Sequence, residues 1–453
     1  MHYKLHTIAG DTTTPIALFH NITGKKVLFE SSAKHEESGR YSFIAFDPCY
    51  SVTGDEHTTT ITKRDGTITT ETTPIIDYAK AALPKLDGDF PFPFFGGAIG
   101  YIGYETIFSY EAIGEKLPTH DHLPDAHLLF FDTFIVFDHR KETITFVATS
   151  LQATTDDELD QAIANVMTAA LTPRALPEAV ASLTFEPSMT AQQFKAIVTE
   201  AKQAINAGEV FQVVLSQKFT ASFAGDAFSL YRKLRTANPS PYMFYLDFLD
   251  YTILGTSPES LVKVTGDTVI TNPIAGTRPR GATAEEDNLL EQQLLADEKE
   301  LAEHRMLIDL SRNDIGKIAN IGTVEVSRYA QIEKYQHVMH IVSEVRGQLR
   351  PTLHALDALM ACLPAGTVSG APKIRAMQLI NTLEQQRRGV YAGAVGYISY
   401  TGAMDFALAI RTMVIHNGIA CVQAGAGIVY DSDAQKEYEE TLHKAKALLE
   451  VVR

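Results

Sequence analysis

The chain has 453 residues and a formal net charge of −16, from 39 basic and 55 acidic side chains. This balance disfavours nucleic acid as a partner, because phosphate binding needs a basic surface. The apolar fraction of 45% suffices for a full core, and no apolar run approaches the ~18 residues that span a bilayer. The first residues do not have the pattern of a signal peptide, so we expect a soluble cytoplasmic protein of roughly two or three domains.

The first 150 residues or so are short strand-like runs separated by turns, with a hairpin expected around residues 139–142. Residues 97–104 and 393–400 share the frame G-A-[IV]-G-Y-I-x-Y. This repetition predicts corresponding central strands in two related halves, although similar strand composition alone is an alternative explanation. Glycine inside a strand often indicates the close approach of a ligand or another backbone segment.

An amphipathic helix is predicted over residues 155–171, and a connection with three prolines follows it. We therefore expect an N-terminal domain over 1–172 and a catalytic domain over 187–453. The second domain begins with a helix capped by Thr190, and a strand over residues 209–219 follows.

The segment 271–281, TNPIAGTRPRG, contains two prolines, two glycines and two arginines directly after an apolar strand-like run. We expect an irregular segment that is neither helix nor regular strand, because proline fixes φ and glycine permits positive φ. Its two guanidinium groups suit an anionic ligand, and a surface turn with solvated arginines is the alternative.

This segment resembles the P-I-[AK]-G-T-x-P-R-G signature of the chorismate-utilising enzymes, and the resemblance extends over nearly the whole chain. It implies an α+β fold: one large unit of two antiparallel β-sheets with helices outside. It also implies an active site that binds chorismate, with Gly276 and Thr277 among the substrate-binding residues. The two carboxylates of chorismate would be held by Tyr391, Arg411, Gly425, Gly427 and Lys444.

Two predicted helices each carry a pair of glutamates three residues apart, which places each pair on one helix face. The first pair is Glu300 and Glu303, and the second is Glu437 and Glu440. Glu300 and Glu303 lie on a stripe that continues through Leu307 and Leu310, and backward through Ala296 and Leu289. Solvated helix faces are the alternative explanation for both pairs. The resemblance implies that Glu303 and Glu440 bind Mg²⁺ directly and that Glu300 and Glu437 are their neighbours.

Three further residues are expected to act in catalysis. Glu259 lies in the family pattern G-x-S-P-E, where the glutamate protonates the departing 4-hydroxyl of chorismate; a strand-edge glutamate is the alternative. The resemblance places His340 near the enolpyruvyl side chain, whereas a core histidine is the alternative. Thr367 lies in a small-residue loop that leads into a helix and can present backbone amides to anions.

Two positions indicate which nucleophile is added. Members of the family that add water have lysine where this chain has Gln212, and glutamine cannot act as the base that activates water. Members that make aminodeoxychorismate have lysine as a covalent nucleophile where this chain has Ala275. The resemblance therefore implies attack of ammonia at ring carbon 2, which leads to anthranilate and pyruvate.

A regulatory site and a partner are also implied. LFES (28–31) and NPSPYMF (238–244) resemble the tryptophan-binding elements of feedback-inhibited members, and we expect a site formed by Glu30, Ser31, Pro241, Tyr242 and Met243. None of Cys49, Cys362 and Cys421 lies in a G-x-C-x-G element, a C-x-x-C pair or a disulfide pattern. A separate glutamine amidotransferase subunit is therefore expected, which gives a hetero-oligomer.

Two alternative functions remain open from the sequence. One is aminodeoxychorismate synthesis for folate, which uses the same fold and a different route. The other is a catalytically inactive subunit that binds an amino acid, although the acidic residues that catalysis needs are all present.

Overall fold

The computed structural model describes residues 1–31, 39–119, 123–175, 182–335 and 338–450. The strands are β1 His2–Ala9, β2 Lys26–Glu30, β3 Tyr41–Phe46, β4 Tyr50–Gly54, β5 Thr59–Lys63, β6 Ile68–Glu71, β7 Gly97–Ile102, β8 Ala126–Phe131, β9 Thr133–Asp138, β10 Thr143–Ser150, β11 Glu186–Pro187, β12 Gln212–Ser222, β13 Tyr242–Asp247, β14 Tyr251–Ser257, β15 Ser260–Thr265, β16 Thr268–Thr271, β17 Ile274–Pro279, β18 Glu325–Lys334, β19 Val338–Gln348, β20 Gly370–Ala371, β21 Ala394–Ser399, β22 Met404–Leu408, β23 Thr412–His416 and β24 Ile419–Ile428. The helices are α1 Pro15–Asn21, α2 Ile75–Ala82, α3 Asp156–Leu171, α4 Ala191–Asn206, α5 Ala227–Ala237, α6 Ala284–Ala296, α7 Glu298–Gly316, α8 Ala355–Cys362, α9 Lys373–Glu384 and α10 Ala434–Leu449.

The strands form two antiparallel sheets of 12 strands each, which confirms the predicted fold class. The first sheet has the order β1-β10-β9-β3-β2-β13-β14-β23-β24-β12-β11, with β20 beside β12. The second has the order β17-β19-β16-β15-β22-β21-β7-β8-β4-β5-β6, with β18 beside β19. Strands from before residue 172 and after residue 187 share both sheets, so the two predicted domains are joined through continuous hydrogen bonding, and the division between them stays a prediction.

The two repeated sequence segments form adjacent strands at the centre of the second sheet. β7 pairs with β21, and Gly100 lies opposite Gly396. A Cβ atom on Gly100 would lie 2.0 Å from the carbonyl oxygen of His127, and one on Gly396 would lie 2.1 Å from that of Asp405. Each glycine thus allows a neighbouring strand to approach closely.

Apolar side chains fill the space between the sheets and the layers outside them. Aromatic residues from both sheets pack together in the middle layer, among them Phe94, Phe134, Phe244 and Tyr397. The other face of the first sheet packs against α1, α3, α5 and α10. A further apolar cluster contains residues of both sheets and of α2, α4, α8 and α9. In it, α4 and α9 contact β12 of the first sheet, while α8 contacts β15 and α2 contacts β4 of the second. No helix of the described ranges is long and apolar enough to cross a membrane.

Most predicted local elements agree with the structure. α3 and α4 begin with capping boxes at Thr155 and Thr190, and β9 and β10 form the expected hairpin. Residues 176–181 of the predicted connection lie outside the described residues. The prediction that one helix carries the stripe from Leu289 to Leu310 is wrong, because Asp297 separates α6 from α7. The Asp297 side chain accepts the N–H groups of Lys299 and Glu300 and so begins α7.

Candidate active site

Two of the places where the chain crosses from one sheet to the other are neighbours. Glu259 lies in the crossing from β14 to β15, and Arg411 lies in the crossing from β22 to β23. The crossings are tied together, because the N–H of Leu408 donates to the carbonyl of Glu259 (3.0 Å) and the Ser257 hydroxyl donates to the carbonyl of Leu408 (2.6 Å). Both side chains therefore line the same cavity.

That cavity has a volume of about 430 Å³. It contains every residue predicted to act in catalysis, in substrate binding or in metal binding. These residues are Glu259, His340, Gln212, Thr367, Gly276, Thr277, Tyr391, Arg411, Gly425, Gly427, Lys444, Glu300, Glu303, Glu437 and Glu440. The structure thus brings together side chains from both sheets and from two helices, while their individual roles stay predictions.

The Glu259 carboxyl group has the properties of a general acid. It is buried, and burial raises its pKa to about 7. The Thr367 hydroxyl donates to Oε1 of Glu259 at 2.7 Å, and this bond together with the charges of Lys444 and Arg411 opposes part of the rise in pKa. A carboxyl group of this pKa can hold a proton at neutral pH and release it.

His340 is held on β19 in a defined orientation. Its Nδ1 lies 2.9 Å from the carbonyl oxygen of Gly276 and 3.1 Å from the hydroxyl of Thr277. Burial lowers its pKa, so the imidazole is neutral at neutral pH. Because the Gly276 carbonyl can only accept, the proton lies on Nδ1 and Nε2 keeps the lone pair that can take up a proton.

The two acidic pairs enter the cavity from α7 and α10. Burial raises the pKa of Glu300, and the adjacent charge of Glu303 raises it further. Burial also raises the pKa of Glu437, to which the charge of Glu440 adds. Within the described ranges, no group of three or more His, Cys, Asp or Glu side chains is arranged to hold a metal ion. The structure therefore presents two separate acidic pairs.

Gln212 connects the first acidic pair to the sheet. Its Nε2 donates to Oε1 of Glu303 at 3.1 Å. Its Oε1 is buried and has no hydrogen-bond partner among the described residues. A buried acceptor without a partner is costly, so this oxygen is suited to a donor supplied by a ligand.

The prediction that 271–281 is neither helix nor regular strand is confirmed in part: β17 runs through the segment, but as an irregular strand. The strand pairs with β19, and its register shifts between Ala275 and Thr277. Gly276 between them has φ of 68°, a left-handed conformation that favours glycine. This bulge directs the carbonyl of Gly276 to His340.

The two arginines of that segment are not presented to a ligand as the sequence suggests. Arg278 donates to Asp297 at 2.7 Å and to Glu300 at 3.4 Å. Arg280 donates to both carboxylate oxygens of Asp287 at 2.8 Å. Both guanidinium groups thus hold β17 to α6 and α7.

Arg411 and Lys444 are the cationic side chains that line the cavity. Lys444 donates to the carbonyl oxygen of Gly425 at 3.1 Å and forms an ion pair with Glu440 at 3.1 Å. Two cations beside neutral donors suit a ligand with two carboxylate groups.

Two buried groups at the cavity were not identified from the sequence. Gln423 lines the cavity, and its position two residues before Gly425 on β24 was the available signal, because alternate residues share a sheet face. Arg388 lies behind Tyr391, with its guanidinium 5.5 Å from the tyrosine ring, and it pairs with Glu384 at 2.6 Å. The run QQRRG gives no sign that this arginine is buried.

The residues of the expected tryptophan site lie near one another, but they do not all face one cavity. Glu30 pairs with Met243 across β2 and β13, and it lines a second opening of about 440 Å³. The Glu30 carboxylate accepts from Tyr231 and Arg235 at 2.9 and 2.8 Å. Tyr242 instead donates to Asp405 at 2.9 Å, and neither it nor the other three expected residues, Ser31, Pro241 and Met243, lines that opening.

Comparison with known proteins gives a consistent result. The family model described as chorismate binding enzyme matches residues 24–450. Anthranilate synthase component 1 of Lactococcus lactis subsp. lactis (strain IL1403) is 44% identical over 99% of both chains. The protein of the same name from Aquifex aeolicus (strain VF5) is 43% identical over 98% of this chain and 92% of its own length.

Solved structures give the same fold. Anthranilate synthase component I from Streptococcus pneumoniae TIGR4 superposes with a TM-score of 0.83 at 42% identity, covering 98% of each chain. The menaquinone-specific isochorismate synthase MenF from Escherichia coli has a TM-score of 0.77 at 19% identity, covering 100% of this chain and 95% of its own. At that identity the second likeness concerns the fold alone.

Proposed function

This chain belongs to the chorismate binding enzyme family, and we propose that it converts chorismate and ammonia into anthranilate and pyruvate. The observation that carries the proposal is that Gln212 and Ala275 line the same cavity as the buried acid Glu259. Neither side chain can activate water or form a covalent amine adduct, so the cavity suits a nucleophile that needs no activation. The relatives named anthranilate synthase component 1 support this choice.

In the first half of the proposed reaction, ammonia forms a bond to ring carbon 2 while the ring double bonds shift and the bond from carbon 4 to its hydroxyl breaks. Glu259 gives its proton to the departing hydroxyl, which leaves as water. The unpartnered Oε1 of Gln212 can accept a hydrogen bond from the incoming ammonia. After the attack, the added nitrogen loses a proton, which restores a neutral amine.

In the second half, the enolpyruvyl ether leaves from carbon 3 and the ring becomes aromatic. This step removes the hydrogen of carbon 2 as a proton and breaks the carbon–oxygen bond at carbon 3. The released enolpyruvate takes up a proton and becomes pyruvate. We assign Nε2 of His340 as the acceptor of the proton removed from carbon 2, because Nδ1 donates to the carbonyl of Gly276.

The two carboxylates of chorismate are held in this proposal by cations and by hydrogen-bond donors. Arg411 and Lys444 supply the positive charge, and Thr277, Tyr391 and the backbone at Gly276, Gly425 and Gly427 complete the surroundings. Fixed donors in a site that excludes water stabilise developing charge more strongly than water does.

We propose that Mg²⁺ binds between the acidic helices, with Glu303 and Glu440 as ligands and Glu300 and Glu437 beside them. The donor chemistry fits, because Mg²⁺ prefers carboxylate oxygens. It commonly uses one or two protein carboxylates together with substrate and water, so a cluster of three protein ligands is not needed. The metal would neutralise a carboxylate of the substrate when bound.

We further propose that glutamine-derived ammonia comes from a separate glutamine amidotransferase subunit. The names of the relatives, component 1, imply a second component. Burial raises the pKa of Cys49 and of Cys362 to about 12, so neither thiol suits the role of a nucleophile at neutral pH.

Feedback inhibition by tryptophan is proposed at Glu30, Ser31, Pro241, Tyr242 and Met243. The buried hydroxyl of Ser31 has no hydrogen-bond partner among the described residues, and it lies next to the Glu30 carboxylate in the chain. Such a hydroxyl can accept a hydrogen bond from the ammonium group of an amino acid.

Product identity tests the main proposal. The purified chain is incubated with chorismate, Mg²⁺ and ammonium at alkaline pH, and the products are analysed by fluorescence and mass. Anthranilate with pyruvate supports the proposal. Aminodeoxychorismate without pyruvate would assign the chain to the folate route instead, and the absence of any product would favour a catalytically inactive subunit.

A further inference from the structure

Arg388 and Glu384 form a buried ion pair behind the wall of the active-site cavity. Their side chains are 1% and 0% exposed. Nη2 of Arg388 donates to Oε1 of Glu384 at 2.6 Å, and Nε donates to Oε2 at 3.0 Å. Burying two charges is costly, and apolar residues of similar size often give equal or greater stability, so stability alone does not account for this pair.

The guanidinium group of Arg388 also holds two segments of the cavity wall. Nη1 donates to the carbonyl oxygen of Val368 at 2.6 Å, and Nη2 donates to that of Val214 at 2.8 Å. Both valines line the cavity. Val368 directly follows Thr367, whose hydroxyl donates to Glu259 at 2.7 Å. Arg388 therefore fixes the loop that contacts the proposed general acid.

The same guanidinium group lies against the ring of Tyr391, at 5.5 Å from the ring centre, where a cation is attracted to the aromatic face. Burial raises the pKa of Tyr391 to about 12, and the charge of Arg388 opposes part of that rise. The charge thus makes the Tyr391 hydroxyl a better donor to a carboxylate. A Cβ atom on Gly425 would lie 2.8 Å from this hydroxyl, so the hydroxyl points to the part of the cavity that Gly425 lines.

Glu384 extends these contacts to two strands of the first sheet. Its Oε1 accepts the N–H and the hydroxyl of Ser216 on β12, at 2.7 and 2.9 Å. The Ser216 hydroxyl accepts in turn from Nε2 of Gln423 on β24 at 2.8 Å, and Gln423 lines the cavity. The ion pair therefore connects both strands with the segments that carry Thr367 and Tyr391.

We propose that Arg388, paired with Glu384, is a positioning residue of the reaction. It holds Thr367 against Glu259, and it holds the ring of Tyr391 toward the bound substrate. This inference rests on the proposed function, in which Glu259 is the general acid and Tyr391 binds a carboxylate. The Thr367 bond lowers the pKa of Glu259, so weakening that bond raises this pKa.

The test replaces the whole pair, because removing one partner leaves a buried charge without its counterion. The double variant Arg388→Met/Glu384→Gln removes both charges and keeps similar side-chain sizes. Arg388→Lys keeps the charge and loses the planar fork of donors. The control Arg40→Met/Asp138→Asn removes another ion pair of this chain, whose residues do not line the cavity.

Circular dichroism and Tm establish that each variant is folded. Anthranilate formation is then measured with varied chorismate, from pH 6 to 9, at a constant concentration of free ammonia. Arg411 and Lys444, whose charges lower the pKa of Glu259, are unchanged in every variant.

We expect KM for chorismate to rise about tenfold or more in the double variant, and the fall of kcat/KM with rising pH to move to higher pH. Arg388→Lys should lie between the double variant and the unaltered chain in both quantities. The Arg40→Met/Asp138→Asn control should keep both.

A folded double variant with unchanged KM and pH profile would overturn the positioning role of Arg388 and leave the proposed function standing. A lower kcat with the same KM and pH profile would also overturn it, because such a loss reflects only the amount of active protein. If the double variant does not fold, Arg388→Lys decides, and values equal to those of the unaltered chain overturn the inference. If the unaltered chain forms no anthranilate, the proposed function fails and this inference fails with it.

Discussion

The substitution Glu259→Gln removes the proposed general acid while it keeps the size of the side chain and an acceptor for the Thr367 hydroxyl. Positioned proton transfer contributes about 100- to 10,000-fold to a rate, so we expect kcat to fall by that factor, equivalent to about 3 to 5 kcal/mol. The cavity should still bind chorismate, because Arg411 and Lys444 are unchanged. KM should therefore change much less than kcat.

The pH dependence makes this prediction sharper. Glu259 must be protonated to act, and its pKa is raised to about 7 in the free protein, so kcat/KM for chorismate should fall as pH rises through about 7. The charges of Arg411 and Lys444 lower this pKa, and a bound dianion offsets those charges. The pKa should therefore be higher in the complex, and the corresponding limb of kcat should lie at higher pH.

The assay follows anthranilate fluorescence from pH 6 to 9 at a constant concentration of free ammonia. Glu105→Gln is the matched control, because burial also raises the pKa of Glu105 to about 7, yet that residue does not line the cavity. The Glu105→Gln variant should show the same fall of kcat/KM with rising pH as the unaltered chain. A Glu259→Gln variant with a rate within tenfold of the unaltered chain and the same pH profile would refute the reasoning.

Four further outcomes are expected. Glu440→Gln should abolish Mg²⁺-dependent turnover, and an unchanged rate at saturating Mg²⁺ would contradict the metal assignment. His340→Asn should release less anthranilate and less pyruvate and accumulate the aminated intermediate, detected by mass; loss of both products without that intermediate argues against a role of His340 in the second half. Replacing all three cysteines by serine should leave ammonia-dependent turnover intact. Loss of turnover in a folded variant would show that the chemistry uses a thiol. Glu30→Gln should remove tryptophan inhibition measured at fixed chorismate while turnover persists, and retained inhibition would exclude Glu30 from the site.

Short-range patterns predicted much of this molecule. The spacing of Glu300 and Glu303 placed both on one helix face, and the same spacing worked for Glu437 and Glu440. The signature at 273–281 identified Gly276, which has positive φ in the structure and whose carbonyl contacts His340. These features depend on neighbours in the chain, which is why the sequence contains them.

Contacts between distant parts of the chain could not be predicted in this way. The Glu105 carboxylate accepts the N–H groups of Arg388 and Gly389, at a separation of 283 residues for the first bond. Likewise, the ion pair of Arg388 with Glu384 is fully buried, although both residues lie in a polar stretch of sequence. These side chains are buried because the two sheets pack together, and no local sequence pattern indicates that packing.

The central claim is that this cavity joins ammonia to carbon 2 of chorismate and releases pyruvate. The most direct test uses ¹⁵N-labelled ammonium with chorismate and Mg²⁺, with the labelled product analysed by NMR and mass and with pyruvate measured in the same reaction. We predict ¹⁵N at the ring carbon next to the carboxylated carbon, with one pyruvate for each anthranilate. Nitrogen at carbon 4 with the enolpyruvyl group retained would contradict the account.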